Sequence, residues 1–327
     1  MERVLLVAII GALAAACGAS PAIKKSPVAD VALAPDSAEL VEGVVLAPLP
    51  DRHAKLTFNV GSLAPLPFVH GTIGGVPTWM IVDSGASTQF APSWMADRAK
   101  VHTRPTTSSV SDHVRHNMNV ALADRSLIAI EGWGGLTPGE LLVVDEEARG
   151  LGAKYGIGII LSPQELDDDR AVILELDRRS IRTGSEAAAV RALAARKIAV
   201  DPDDIAFCHG VFSVAAIIDG HSVRLTVDTG ASSSDLFSLS DAGRALAPHA
   251  ARSRSEGEAG SGPVALRVSK GARIQLGGLS VRKDIDILTG APEIQCPVDG
   301  VLGIDVLRSC VLVFGNGRGR LRIKCNE

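Results

Sequence analysis

Gly75-Val76-Pro77-Thr78-Trp79-Met80-Ile81-Val82-Asp83-Ser84-Gly85-Ala86-Ser87 is followed, 145 residues further on (83 to 228), by Gly220-His221-Ser222-Val223-Arg224-Leu225-Thr226-Val227-Asp228-Thr229-Gly230-Ala231-Ser232. Both stretches run as an apolar-rich segment of strand length into Asp-(Ser/Thr)-Gly-Ala-Ser. The same spacing relates Ile157-Gly158-Ile159 to Leu302-Gly303-Ile304. Val120-Ala121-Leu122 to Ile130 and Leu266-Arg267-Val268 to Leu276 both read as strand, turn, strand at nearly that spacing. Each half closes on a two-strand pattern, Ala171–Leu176 before Asp177-Arg178-Arg179, and Cys310–Phe314 before Gly315-Asn316-Gly317-Arg318-Gly319. A repeat of this kind marks a supersecondary unit used twice. Short β-type runs punctuated by Gly, Pro and Asp make that unit a β lobe.

The composition fits this reading. At 327 residues, with 46% hydrophobic and 21% charged side chains, the chain has material for two lobes and their core. Aromatic residues make up only 3%, so packing rests on Val, Ile, Leu and Ala, which favours many short strands. A net charge of -4 and an isoelectric point near 6.1 give no basic footprint and argue against a nucleic-acid partner.

The organisation expected from the sequence has five parts. Residues 1–17 read as a signal segment. Val4–Ala16 is apolar but too short for a typical membrane span, and it ends in Leu13-Ala14-Ala15-Ala16-Cys17, which resembles a bacterial lipobox. That resemblance implies cleavage before Cys17, lipidation of Cys17 and anchoring in the cell envelope. Gly18 carries no inner-membrane retention acid, so the outer membrane is favoured, with the protein facing the periplasm or the exterior. The alternative is an ordinary signal peptide cut after Ala-Ala-Ala, with an incidental Cys17. Residues 18–50, rich in Ala, Pro, Ser and Val, read as a flexible tether. Residues 51–184 form the first lobe, 185–204 a linking segment with a helix over Ser185–Lys197, and 205–327 the second lobe. Export makes disulfides permissible. Four cysteines remain, which allow three pairings; folding 310–325 as a hairpin puts Cys310 opposite Cys325, leaving Cys208 for Cys296.

A lone Asp-(Ser/Thr)-Gly is weak evidence, with about 0.2 copies expected by chance in a chain of this size. Two copies at matching places of a duplicated lobe are far stronger. On these residues the chain resembles the pepsin and retropepsin clan of aspartic peptidases, from Leu56 to Cys325. The Asp-Ser-Gly-Ala-Ser and Asp-Thr-Gly-Ala-Ser loops look retropepsin-like, and the single-chain duplication looks pepsin-like. The resemblance implies an all-β fold of two β-barrel lobes related by a pseudo-twofold axis, with a central cleft and one linking helix. It implies that Asp83 and Asp228 are the catalytic pair, supported by Ser84, Gly85, Ala86 and Ser87 on one loop and Thr229, Gly230, Ala231 and Ser232 on the other. The hydroxyls of Ser84 and Thr229 are expected to bond across to the opposite loop. Ile157-Gly158 and Leu302-Gly303 are expected to pack beneath the loops, and Asp305 to be a cap or turn residue. Flap hairpins fall at Thr106–Val120 and Ser253–Val264. The flap tyrosine of pepsin-type enzymes has no counterpart, since the only tyrosine is Tyr155.

Two carboxyls forced together share one proton. The ionised member draws a proton from a water, and the protonated member supports the substrate carbonyl. The expected function is therefore an aspartic endopeptidase, a hydrolase acting on a polypeptide laid out in extended form, without metal or cofactor. Activity is expected at acidic to mildly acidic pH. Dimerisation is not required, because both aspartates lie on one chain. The alternative is a peptide-binding envelope lipoprotein on the same fold that does not cut. His113-Val114-Arg115-His116, without companion ligands, and Asp167-Asp168-Asp169, without a calcium-loop glycine, read as solvated turns.

Overall fold

The computed structural model describes residues 6–7, 51–61, 63, 65–110, 118–145, 151–252, 257–259, 262–264, 266–288, 297–315 and 320–326. The lipidation candidate Cys17, the tether and the His113/His116 turn lie outside the described residues.

Three large sheets carry the fold. The first lobe is a nine-stranded sheet whose centre is Val76–Val82, antiparallel to Phe68–Ile73 and parallel to Ile157–Leu161. The second is an eight-stranded sheet centred on His221–Val227, antiparallel to Val211–Ile218 and parallel to Gly300–Leu302. In both lobes a three-residue strand, Phe90–Pro92 or Asp235–Phe237, follows the Asp-Gly loop and slots in beside that parallel strand. Its other edge pairs in parallel with Glu140–Val144 or Leu279–Leu288. The chain is thus all-β with two pseudo-symmetric lobes.

The third sheet is shared. Its six strands run Ile198–Ala199, Leu321–Cys325, Cys310–Phe314, Ala171–Glu175, Ser180–Gly184 and His53–Lys55. The closing strands of the two halves pair antiparallel at its middle, with Leu174 opposite Leu312. All five residues of Ala171–Glu175 and of Cys310–Phe314 are buried, because both faces are covered. Val172, Leu174 and Leu312 face the main core. Ala171, Ile173, Val311 and Val313 face the helix Glu186–Ala194. That helix starts where expected: the Ser185 side chain caps it by accepting from the Ala188 backbone N–H. Its alanine-rich side suits close approach, since a Cβ on Gly184 would lie 2.9 Å from the Ala188 Cβ.

Cys310 and Cys325 stand opposite each other in the register of the last hairpin and are disulfide-bonded. Cys208 is also disulfide-bonded; its expected partner, Cys296, lies outside the described residues. Short helices follow the slotted strand in each lobe, Ser93–Arg98 and Asp241–Leu246. No helix among the described residues is long and apolar enough to cross a membrane.

Candidate active site

Each central strand delivers an aspartate to the lobe interface by the same device. The backbone N–H of Asp83 donates to the carbonyl of Leu161, and that of Asp228 to the carbonyl of Leu302. Beyond each aspartate the chain turns, and the Gly N–H two residues on donates back to the carboxyl. Gly85 reaches Asp83 Oδ1 at 2.8 Å, and Gly230 reaches Asp228 Oδ1 at 2.7 Å, where the Ala231 N–H adds a bond of 3.0 Å.

The two loops are locked by four hydrogen bonds that cross between lobes. The Ser84 hydroxyl donates to the Val227 carbonyl at 2.7 Å and accepts from the Thr229 N–H at 3.1 Å. The Thr229 hydroxyl donates to the Val82 carbonyl at 2.7 Å and accepts from the Ser84 N–H at 3.1 Å. Both side chains are fully buried, so each hydroxyl has its donor and acceptor capacity met without water.

This lock sets each carboxyl over the other loop's glycine. A Cβ on Gly85 would lie 2.6 Å from Asp228 Cγ, and a Cβ on Gly230 would lie 2.6 Å from Asp83 Cγ. No side chain fits at either place, which is why both loops carry glycine. Asp83 is 1% exposed and Asp228 0%. Their Oδ2 atoms have no hydrogen-bond partner among the described residues apart from the facing carboxyl.

Burial without a counter-charge favours the neutral acid. Desolvation is the largest cause holding the Asp83 carboxyl well above the usual range, and the neighbouring Asp228 charge adds to it. Desolvation pushes Asp228 up to about 6, opposed by the hydrogen bond from Asp83 and the N–H groups of Gly230 and Ala231. Both carboxyls are thus pushed toward the neutral acid and titrate as a pair. The consequence for folding has a definite sign. Between the unfolded value near 3.8 and the folded value near 6, the native state binds more protons than the unfolded state, so stability falls as pH rises through that window. For Asp228 alone the loss is about 3 kcal/mol. Urea unfolding at pH 4 and pH 7 should show a smaller decline for Asp228→Asn than for the wild type; equal declines would contradict the assignment.

The element beneath the loops differs from expectation in the first half. Leu161 and Leu302 hold equivalent places by their bonds to Asp83 and Asp228, so Gly303 corresponds to Ser162 and not to Gly158. The repeat spacing is therefore 141 residues here (162 to 303). The first half thus has more residues than the second between its aspartate and this position, and a register shift between Ile157 and Ile159 falls in that longer stretch. Gly158 serves another purpose: a Cβ there would meet Thr78 Oγ1 at 2.5 Å and Met95 Cγ at 2.6 Å.

Several supporting residues carry no sequence signal of their own. Six positions beyond each aspartate, Gln89 and Ser234 tie the loop to the strand beneath. The Gln89 amide donates to the Ser162 carbonyl and accepts from the Ser162 N–H. The Ser234 hydroxyl accepts from the Gly303 N–H and donates to Asp305 Oδ1. Asp305 lies in the first turn of the helix Ile304–Leu307, in a supporting place. Gln164 donates to the carbonyls of Ala86 and of Gly210, linking the first loop to the second lobe. Of the loop-end serines, Ser232 Oγ has no partner among the described residues.

The flap candidates lie in hairpins. Arg104–Val110 and Met118–Asp124 pair with Val110 opposite Met118, and the tip between them lies outside the described residues. In the other half Gly257–Ala259 pairs with Gly262–Val264. A cavity on the first lobe, lined by His53, Lys55, His70, Trp79 and Glu131 among others, includes neither aspartate.

A family model described as aspartyl protease matches residues 69–122 and 214–306, which include both loops. The match supports an aspartic protease-like family and a protease-type hydrolase at family level. Among solved structures the chain is similar to basic 7S globulin from soybean, at 12% identity and TM-score 0.47, covering 85% of this chain and 95% of that one. It is also similar to conglutin gamma, a basic 7S globulin from lupine seeds, at 12% identity and TM-score 0.44 with the same coverages. No curated protein matches the chain.

Proposed function

We propose that the protein is an aspartic endopeptidase whose Asp83 and Asp228 hydrolyse a peptide bond by sharing one proton. The observation that carries this reading is the placement of each buried carboxyl over the glycine of the opposite loop, locked by the Ser84 and Thr229 hydroxyls. In the reaction, ionised Asp228 takes a proton from a water molecule, and that oxygen attacks the peptide carbonyl carbon. Protonated Asp83 donates to the carbonyl oxygen, giving a neutral tetrahedral diol. As the C–N bond breaks, Asp228 gives its proton to the departing amine nitrogen and a diol hydroxyl returns one to Asp83, leaving the carboxylic acid and the starting pair. The substrate is an extended polypeptide laid between the lobes beneath the hairpins.

The pH dependence follows from the two carboxyls. The singly protonated pair forms as Asp228 loses its proton near pH 6 and persists until Asp83 titrates. The acidic limb of kcat/KM is therefore expected near pH 6, with activity above it, which is less acidic than the range the sequence suggested. The shift arises because both carboxyls are buried. Incubating the full chain with a denatured protein across pH 3 to 9 measures it. A maximum below pH 4 would contradict the geometry, and binding without cleavage at every pH would favour the peptide-binding alternative.

The same reading puts the protein in the cell envelope, lipid-anchored through Cys17 with the outer membrane favoured. The Leu13-Ala14-Ala15-Ala16-Cys17 stretch supports it. Labelled fatty acid should enter the wild-type protein and not Cys17→Ser; equal labelling would remove the anchor.

A further inference from the structure

The two lobes match closely in backbone and differ sharply in one place beside the aspartates. In the first lobe Phe90 stands opposite Leu142, and two residues on Pro92 stands opposite Val144. In the second lobe the same positions are Asp235 opposite Asp286 and Phe237 opposite Leu288. Alternation along a strand puts residues two apart on one face. The other face, Ala91, Leu141 and Val143 in one lobe and Leu236, Ile285 and Ile287 in the other, is in the main core. The face bearing the differences is grouped with the catalytic loops: Ala86 clusters with Phe90 and Leu142, and Ala231 with Phe237 and Leu288. An apolar pair in one lobe has thus been replaced by two carboxyls in the other, on the sheet face that packs with the Asp-Gly loop.

Asp235 is 1% exposed, and neither of its side-chain oxygens has a hydrogen-bond partner among the described residues. The Val301 N–H is near enough to favour the ionised form but makes no hydrogen bond. A buried carboxyl without a partner is costly, and native structures rarely keep one without a use. Its charged surroundings add to that cost. Asp286, Asp228 and Asp305 all act on it with like charge, after desolvation, and hold its pKa well above the usual range. Asp286 takes a hydrogen bond from the Ser233 hydroxyl at 2.8 Å, and Lys283 acts on Asp305. What would complete the Asp235 site is a cation that arrives with its own hydrogen-bond donors.

We propose that the second lobe carries an acidic pocket, built on Asp235 and Asp286, that selects a Lys or Arg side chain of the substrate close to the scissile bond. The first lobe fills the matching place with the buried, packed side chains of Phe90 and Leu142 and offers no acid there. The substrate is thereby read asymmetrically, with a basic side chain preferred on one side of the cut only. This inference rests on the endopeptidase reading for its reference to a scissile bond. A guest ammonium or guanidinium ionises Asp235, and the pair so formed is desolvated, where charge-assisted bonds are strongest.

The test uses the full chain and a set of apolar decapeptides in which one Lys is moved through the positions flanking the cut, each with a norleucine twin, in buffer containing EDTA. At one position, on one side only, kcat/KM for Lys is expected to exceed that for norleucine by about tenfold or more. Asp235→Asn and Asp286→Asn should each reduce that ratio to within about twofold. Because desolvation favours the neutral acid at Asp235 and Asn is a neutral side chain of the same shape, Asp235→Asn is expected to melt no lower than the wild type. In parallel, binding of the same labelled peptides to the Asp83→Asn protein is read by anisotropy. Cleavage with no Lys preference, or a preference untouched by both Asn variants, overturns the pocket and leaves the endopeptidase reading intact. A Lys preference in binding, lost in Asp83→Asn/Asp235→Asn, with no cleavage of any peptide by the wild type, supports the pocket and overturns the endopeptidase reading.

Discussion

Replacing Asp228 by Asn is expected to lower kcat/KM on a peptide substrate by about three to four orders of magnitude. Asp83→Asn should give a loss of similar size. The two carboxyls act as one proton-sharing unit, so removing either removes both the base and the shared proton, and the double variant should be little worse than either single one. Folding should not suffer. Asn keeps the shape of the side chain and can accept the Gly230 and Ala231 N–H groups that bond Asp228 Oδ1. It also removes the desolvated charge that pushes Asp228 up to about 6. A melting temperature at pH 7 equal to or above that of the wild type, with cleavage lost, separates chemistry from unfolding. A variant that keeps more than about a tenth of the activity would remove the dyad from the mechanism.

The two Asp-Gly loops were legible because their geometry requires particular residue types. Glycine is the only residue that fits under the facing carboxyl at 85 and 230, and a hydroxyl is needed at 84 and 229 to bridge the lobes. Such constraints leave marks that a repeat comparison finds. The Cys310–Phe314 and Leu321–Cys325 hairpin was legible for another reason: its strands are adjacent in the chain and joined by a glycine-rich turn. The helix over Glu186–Ala194 declared itself through propensity and the Ser185 cap.

What escaped the sequence was set by contacts between distant residues. The six-stranded sheet joins His53–Lys55, Ala171–Glu175 and Cys310–Phe314, and nothing local states that the closing strands of the two halves pair with each other. The equivalence of Ser162 and Gly303 was hidden because Gly158, standing 145 residues before Gly303, offered a better-looking match at the wrong place. Gly303 must be glycine, since a Cβ would lie 2.4 Å from the Ser233 carbonyl oxygen. Ser162 meets a different neighbour, Gln89, and tolerates its side chain. Asp235 carries no signal in the sequence, because its burial follows from sheet register.

Thr229→Val is the substitution expected to cost the most stability for the smallest change in shape. The Thr229 hydroxyl satisfies the Val82 carbonyl and the Ser84 N–H across the lobe interface. Valine fills the same volume and leaves both groups unpaired in a fully buried place, at about 1–3 kcal/mol for each. Ser84→Ala strips the Val227 carbonyl and the Thr229 N–H of their partners and should cost a comparable amount. The two losses should not add. Once one pair of bonds is gone the loops can part, and the remaining pair contributes less, so a double-mutant cycle in urea should show coupling of about 0.5 kcal/mol or more. Activity should fall by about a hundredfold in Thr229→Val, because the carboxyls depend on the same bonds for their alignment, and Thr229→Ser should restore both properties. A valine variant that loses stability yet cuts at the wild-type rate would show that the bridging hydroxyls hold the lobes together without holding the aspartates in place.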